Sequence, residues 1–168
     1  VLSRLQRLMP ANAQDRPGWA ADLQSAFAAL DSEPSSANVC TAIAVIEQES
    51  GFVADPTVPG LGAIALKEIE ARAARHHIPA FVVRGALQLK SPGGDTWETR
   101  ITDAKTEKQL SDLFEEMIAQ VPMGSRLLAR LNPVHTGGPM QVSIGFAEDH
   151  AKRHPYPYAF AGSVRHEV

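Results

Sequence analysis

The sequence has little cysteine, few aromatic residues and no long hydrophobic run. With one cysteine, Cys40, among 168 residues, no disulfide can form within the chain. Cys40 lies in a run of small apolar residues, so we expect a buried core position rather than a nucleophile. No apolar stretch approaches the roughly 18 residues that a membrane-spanning helix needs. The sequence therefore excludes an intrachain disulfide framework and predicts no membrane span.

The sequence also lacks an excess of basic charge. It has 16 Lys and Arg residues against 19 Asp and Glu residues, a net charge of -3. A general nucleic-acid binder usually has a strong basic excess, so we expect no nucleic-acid partner. Hydrophobic residues make up 44% of the chain and charged residues 21%, which are ordinary values for a folded globular domain. The length fits a single domain, or a core with one sizeable insertion.

Hydrophobic periodicity is helical along almost the whole chain, and we find no internal repeat and no convincing strand. The expected caps are Asp15, Ser35 or Ser36, and Thr106, the last with capping-box spacing to Gln109. The sequence therefore predicts an all-α fold. We predict helices over residues 16–30, 36–50, 61–76, 79–90, 96–104, 106–118, 122–131 and 140–150.

The stretch "AVIEQESGFVADP", residues 44–56, places two carboxylates at the end of an apolar run. The stripe Val39, Ile43 and Ile46 predicts that Glu49 continues on the inward-facing side of its helix. A carboxylate against apolar surroundings has a raised pKa and can hold a proton for a leaving group. Glu47 lies about 200° from Glu49 around a helix, so the two do not form a facing pair.

The residues "ESGF" resemble the Glu-Ser-x-Phe motif of the soluble lytic transglycosylases, members of the lysozyme-like superfamily in glycoside hydrolase family 23. The resemblance implies a lysozyme-like helical fold. It implies that Glu49 is the sole catalytic acid and base, that Ser50 supports it at the substrate, and that Phe52 anchors the loop.

A second stretch, "GGPMQVS" (residues 137–143), is similar to the Gly-Leu-Met-Gln motif of the same family. The resemblance implies that Gly138, Met140 and Gln141 belong to a sugar-binding loop, although Pro139 stands where the family has leucine. A rival match, "GLGAIAL" (residues 60–66), lies nearer to the serine but lacks the Met-Gln pair. With the later match, residues 51–136 replace a much shorter connection, so we predict a single domain, 1–168, with a helical insertion at 61–131.

The family's late Tyr-Asn-Ala-Gly motif does not occur in this sequence. By resemblance, Tyr156 or Tyr158 is the candidate for its place, and we assign Tyr156 to substrate binding. The segment "HPYPYAF" that contains both tyrosines does not match the motif. Whether a site without this motif is active stays open at this point.

The resemblance implies cleavage of the bond between N-acetylmuramic acid and N-acetylglucosamine in peptidoglycan. An ordinary glycosidase needs two carboxyl groups, whereas a lytic transglycosylase uses the substrate's own C6 hydroxyl as nucleophile, so one glutamate is enough. No cofactor is implied. The six histidines do not predict a metal site, since His76 and His77 are adjacent rather than four residues apart.

The alternatives are a non-catalytic module that binds peptidoglycan and an envelope scaffold with residues 61–131 as its partner surface. The sequence also resembles uncharacterised proteobacterial lipoproteins, which implies a periplasmic or outer-membrane location. The first residue is Val1, so an export segment carrying a membrane anchor could have been removed, or the sequence could be trimmed. The sequence does not predict the oligomeric state.

Overall fold

The structure, a computed structural model, describes residues 2–154, 158 and 164–166. It is mainly α-helical, which confirms the predicted class at that level. In the described residues the α-helices are α1 Leu2–Leu8, α2 Arg16–Ala29, α3 Ser36–Ser50, α4 Leu61–Arg75, α5 Ala80–Leu87, α6 Trp97–Asp103, α7 Glu107–Ala119, α8 Gly124–Leu127 and α9 Ile144–Arg153. Short 3-10 turns occur at Ala129–Leu131 and Val164–His166, and β1 Thr136–Gly137 pairs with β2 Val142–Ser143.

The predicted caps are confirmed. Side chains of Asp15, Ser35 and Thr106 accept hydrogen bonds from backbone N–H groups three residues later. Each bond satisfies a donor that the first helical turn leaves without a backbone partner. The helix predicted over 122–131 is instead interrupted between α8 and a 3-10 turn. The helix predicted from Met140 begins at Ile144, where the Ser143 hydroxyl caps it.

The chain divides into two compact units. The first unit comprises Val1–Pro56 and Gly137–Val168, and the second comprises Thr57–Thr136. The second unit therefore interrupts the first in sequence and includes the residues 61–131 for which an insertion is predicted.

The first unit has a hydrophobic core built from α1, α2 and α3. Trp19, Phe27, Ala42 and Met140 lie half-buried against this core. Cys40 is exposed, so the prediction of a core position for it is wrong. The neighbouring Val39 takes the buried position, because one residue along a helix turns the side chain by about 100°. The buried cluster consists of Leu5, Met9, Ala20, Leu23, Val39, Ile43, Ile46 and Phe52.

The second unit is built around α4, which packs against α5, α6 and α7. Gly62 permits the close approach of α4 to α6, because a Cβ there would lie 2.3 Å from the carbonyl oxygen of Thr102. Arg100 makes two hydrogen bonds to Glu116, at 2.9 and 2.8 Å, and its guanidinium lies over the ring of the buried Trp97. Among the described residues, no helix combines the length and the apolar character needed to span a membrane.

Candidate functional site

The end of α3 leads into a tight turn built around Phe52. The Ser50 hydroxyl donates to the carbonyl of Ile46 at 3.1 Å, inside the helix, and Gly51 adopts a left-handed conformation with φ 58°. Phe52 is also left-handed, with φ 62°, which is unusual for a bulky residue. Its ring is only 2% exposed and makes an edge contact with Trp19, with ring centroids 5.3 Å apart. The buried ring therefore holds the loop that follows α3 against the core of the first unit.

Glu49 does not lie on the buried side of α3. Its side chain is exposed, so the prediction of an inward-facing position is wrong. The buried stripe of Ile43 and Ile46 continues to Ser50, which is partly buried. Around the helix, Ser50 lies about 40° from Ile46 on one side, whereas Glu49 lies about 60° from Ile46 on the other side. Glu47 is exposed as well.

The second predicted motif forms a turn from Gly138 to Gln141. Gly138 and Gln141 are both left-handed, with φ 70° and 49°. The backbone N–H and the side-chain Nε2 of Gln141 both donate to the carbonyl of Gly138, at 3.2 and 3.3 Å. Met140 lies half-buried against the cluster that contains Phe52. The side chains of Met140 and Gln141 thus make contacts within the protein.

The two predicted motifs meet at one cleft of about 520 Å³ in the first unit. One wall is the start of α2, with Trp19 as its aromatic residue. The residues that follow the "ESG" triplet and the turn before Met140 form the other walls. Glu49 is not one of the lining residues. The cleft is lined by Gln14, Asp15, Gly18, Trp19, Asp22, Phe52, Val53, Ala54, Asp55, Gly138 and Pro139.

The cleft is acidic and has no Lys or Arg among its lining residues. The carboxylate of Asp15 caps α2 through the N–H of Gly18, at 3.1 Å. Asp22 accepts a hydrogen bond from the hydroxyl of Tyr158, and Asp55 lies on the loop after Phe52. Carboxylates are strong hydrogen-bond acceptors, and the half-buried Trp19 supplies a flat apolar wall. A ligand segment that offers hydroxyl and amide donors to these carboxylates fits this chemistry.

Most of the cleft residues, including Trp19, Asp22 and Asp55, are not among the site residues that the sequence predicts. Trp19 and Asp22 are three residues apart on α2 and share one face, which is the sequence pattern that could have indicated them. Tyr156 lies outside the described residues. Tyr158, the other candidate, is described and is the partner of Asp22.

Histidines do not form a metal cluster in the part of the chain that the structure describes. No group of three or more His, Cys, Asp or Glu side chains is placed there to hold a metal ion. His150 and His154 are four residues apart and stack with ring centroids 4.4 Å apart. Phe146 stacks on His150 in turn, at 6.1 Å. This aromatic row on α9 was not predicted.

The fold and the cleft define a mainly α-helical protein with an acidic cleft against an aromatic wall. The chain belongs to the family described as "Protein of unknown function (DUF1615)", whose model matches residues 12–168. It is 51% identical over 168 residues to "Uncharacterized protein YaiW" of Escherichia coli (strain K12). The match covers 100% of this chain and 46% of that relative, so the chain spans about half the relative's length. No solved structure matches this chain.

Proposed function

We propose that the chain cleaves peptidoglycan glycan strands as a lytic transglycosylase does, with Glu49 as its single catalytic acid and base. One observation carries the proposal. Two motifs that the sequence separates by more than 80 residues contribute Phe52–Asp55 and Gly138–Pro139 to the same cleft. A lysozyme-like fold is part of the proposal, and the mainly helical architecture supports it.

The reaction needs one proton donor that later accepts a proton. Glu49 in its acid form would protonate the glycosidic oxygen as the bond from C1 of N-acetylmuramic acid breaks. The resulting carboxylate would then take the proton of the C6 hydroxyl as O6 bonds to C1 and closes a 1,6-anhydro ring. The hydroxyl is part of the same sugar, so proximity favours it over water. No cofactor takes part.

Because Glu49 is exposed, this mechanism needs the substrate itself to shield the carboxyl group from water. Glu49 is two residues before Gly51, where the chain turns into the cleft-lining loop. A glycan strand laid in the cleft and across the end of α3 would exclude water from the carboxyl group. Removal of water from the end of α3 by the bound strand is therefore a requirement of this mechanism.

Digestion of purified sacculi tests the proposal. We expect the wild-type chain to release 1,6-anhydro-muropeptides, and Glu49→Gln to release at least about a hundredfold less, because the amide cannot donate a proton. Glu47→Gln is the matched control, since Glu47 is exposed on the same helix and should retain activity. Identical product release by wild type and Glu49→Gln would overturn the assignment of Glu49.

The second candidate is a module that binds glycan strands without cleaving them. The observation that favours it is the exposed Glu49, which is not among the residues that line the cleft. In the same experiment, wild-type protein that sediments with sacculi but yields no anhydro product would select this candidate. Protein that neither binds nor cleaves sacculi would contradict both candidates.

A periplasmic or outer-membrane location and a lipid anchor are part of the proposal, because peptidoglycan lies in that compartment. The chain covers 46% of that relative, so the rest of the relative lies outside the match. The proposal therefore concerns the chemistry of this part of the chain.

A further inference from the structure

Helix α5 exposes an apolar face in the second unit. Its buried residues are Val83 and Leu87, four residues apart. The remaining surface carries Phe81, 73% exposed, and Val82, 46% exposed, and it continues to Leu89, 63% exposed. Gly85 and Ala86 follow Phe81 and Val82 by four residues each, so they lie on the same side of the helix. A Cβ at Gly85 would meet no atom within 4 Å. Such a degree of exposure is unusual for a phenylalanine and indicates a contact surface.

The stretch of sequence that contains α5 is basic, although Glu98 of α6 accepts a hydrogen bond from Gln88 at the end of α5. The sequence contains no Asp or Glu from Ala71 to Gly94, although acidic residues outnumber basic ones over the whole chain. The stretch holds Arg84 and Lys90, both exposed and without an ion pair among the described residues. It also contains the exposed His76 and His77 at the end of α4. Exposed apolar side chains with basic residues beside them are the pattern of an interfacial helix.

We propose that the surface formed by Phe81, Val82, Arg84, Leu89 and Lys90, here called the α5 surface, docks on a bilayer that carries anionic lipid headgroups. The apolar side chains enter the headgroup region, and Arg84 and Lys90 contact the phosphates. The short length of α5 and the small residues Gly85 and Ala86 suit shallow contact with a surface rather than insertion.

Charge favours a bilayer over a second copy of the chain. A symmetric dimer joins the same patch of each copy, so it would bring two sets of basic residues together. Like charges at such short range oppose association. A bilayer with anionic lipids instead supplies opposite charge to Arg84 and Lys90 and an apolar layer to Phe81. This inference does not depend on the glycan-cleaving function.

Cosedimentation with lipid vesicles tests the proposal. We expect the chain to bind vesicles of phosphatidylethanolamine with phosphatidylglycerol at least about tenfold more tightly than vesicles of phosphatidylcholine, and to lose binding in high salt. Phe81→Ser should weaken binding about tenfold through loss of buried apolar area. Arg84→Gln and Lys90→Gln should each weaken it about fivefold.

Two variants serve as matched controls. Phe146→Ser removes a phenylalanine that is 62% exposed in the first unit, and Arg126→Gln removes an exposed arginine outside the α5 surface. Both should bind within about twofold of wild type. All five variants alter exposed side chains, and circular dichroism should confirm that each retains the wild-type fold.

Three results would overturn the proposal. The first is no binding of the wild type to the anionic vesicles. The second is an equal loss for Phe81→Ser and Phe146→Ser, because the effect would then not belong to the α5 surface. The third is a dimer in analytical ultracentrifugation that Phe81→Ser abolishes, since the occupant would then be a second copy.

Discussion

Single residues with unusual backbone conformations mark the cleft of the first unit. Asp15 and Phe52 line the cleft, Gln141 ends the turn beside it, and all three have positive φ without being glycine. A left-handed conformation costs roughly 1–2 kcal/mol for a residue with a side chain. At Phe52 the burial of the ring offsets that cost, since burying a phenylalanine contributes about 1.5–3 kcal/mol. The loop after α3 is therefore held by its own aromatic residue.

Replacing Phe52 should show how much of the stability of the first unit depends on its buried ring. Phe52→Ala should lower the free energy of unfolding by about 3 kcal/mol, through lost burial and the cavity that remains. Urea denaturation followed by circular dichroism measures the change. Phe146→Ala is the control, because its ring is 62% exposed and its loss should cost no more than about 0.5 kcal/mol. Equal effects of the two substitutions would contradict the anchoring role of Phe52.

At the scale of elements, side chains that satisfy free backbone donors cap the starts of α2, α3, α6, α7 and α9. The start of α2 is also a wall of the cleft, so Asp15 has a structural task at the site. Its carboxylate fills the space beside Gly18, where a Cβ would lie 2.2 Å from the Asp15 Oδ2 atom. Capping and close packing thus fix this end of α2 together.

Comparing two aspartates separates the effect of the helix cap on stability from the effect of backbone strain. Asp15 and Asp31 are both exposed and left-handed, with φ 46° and 48°, but only Asp15 caps a helix. Both Asp15→Ala and Asp31→Ala put alanine in a strained conformation, so the difference between them isolates the cap. We expect Asp15→Ala to be about 1 kcal/mol more destabilising in urea denaturation. A difference near zero would show that the cap does not stabilise α2.

For the whole molecule, the two compact units carry different chemistry. The first unit has the acidic cleft, with Asp15, Asp22 and Asp55. The second unit has the basic stretch around α5 and two arginine–glutamate ion pairs, Arg72–Glu68 and Arg100–Glu116. The hydrogen bond from Arg72 lowers the pKa of Glu68, and the hydrogen bonds from Arg100 lower the pKa of Glu116. The net charge of -3 for the whole chain does not show this difference in charge between the two units.

These ion pairs predict how stability depends on pH. A carboxyl group whose pKa is lower in the folded state stabilises the fold above its ordinary pKa of 4.5, and that contribution is lost as the pH falls through the folded pKa. We expect Glu116→Gln to lower the Tm by about 2 °C at pH 7, because the side chains of Arg100 and Glu116 are partly exposed, at 27% and 40%. The difference from wild type should shrink below pH 4. Thermal melts at both pH values measure it, and a constant difference would contradict the ion-pair explanation.

Helix positions and caps could be predicted from the sequence because they depend on neighbours within a few residues. Asp15, Ser35 and Thr106 each bond a donor three residues away, which the sequence order already brings close. The small sheet of β1 and β2 was not predicted, because two-residue strands show no periodicity. The break between α8 and the following 3-10 turn was also missed, since the basic and apolar residues there suit a continuous helix.

The sequence by itself determined the helical class, most helix boundaries and the caps, all of which follow from local chemistry. Only the tertiary structure decided that Ser50 rather than Glu49 continues the buried stripe of α3, and that Cys40 is exposed. It also decided that the loop after Phe52 and the turn at Gly138 share a cleft with Trp19 and Asp22. Burial and proximity of this kind depend on contacts between residues far apart in the chain, which periodicity within one helix does not specify.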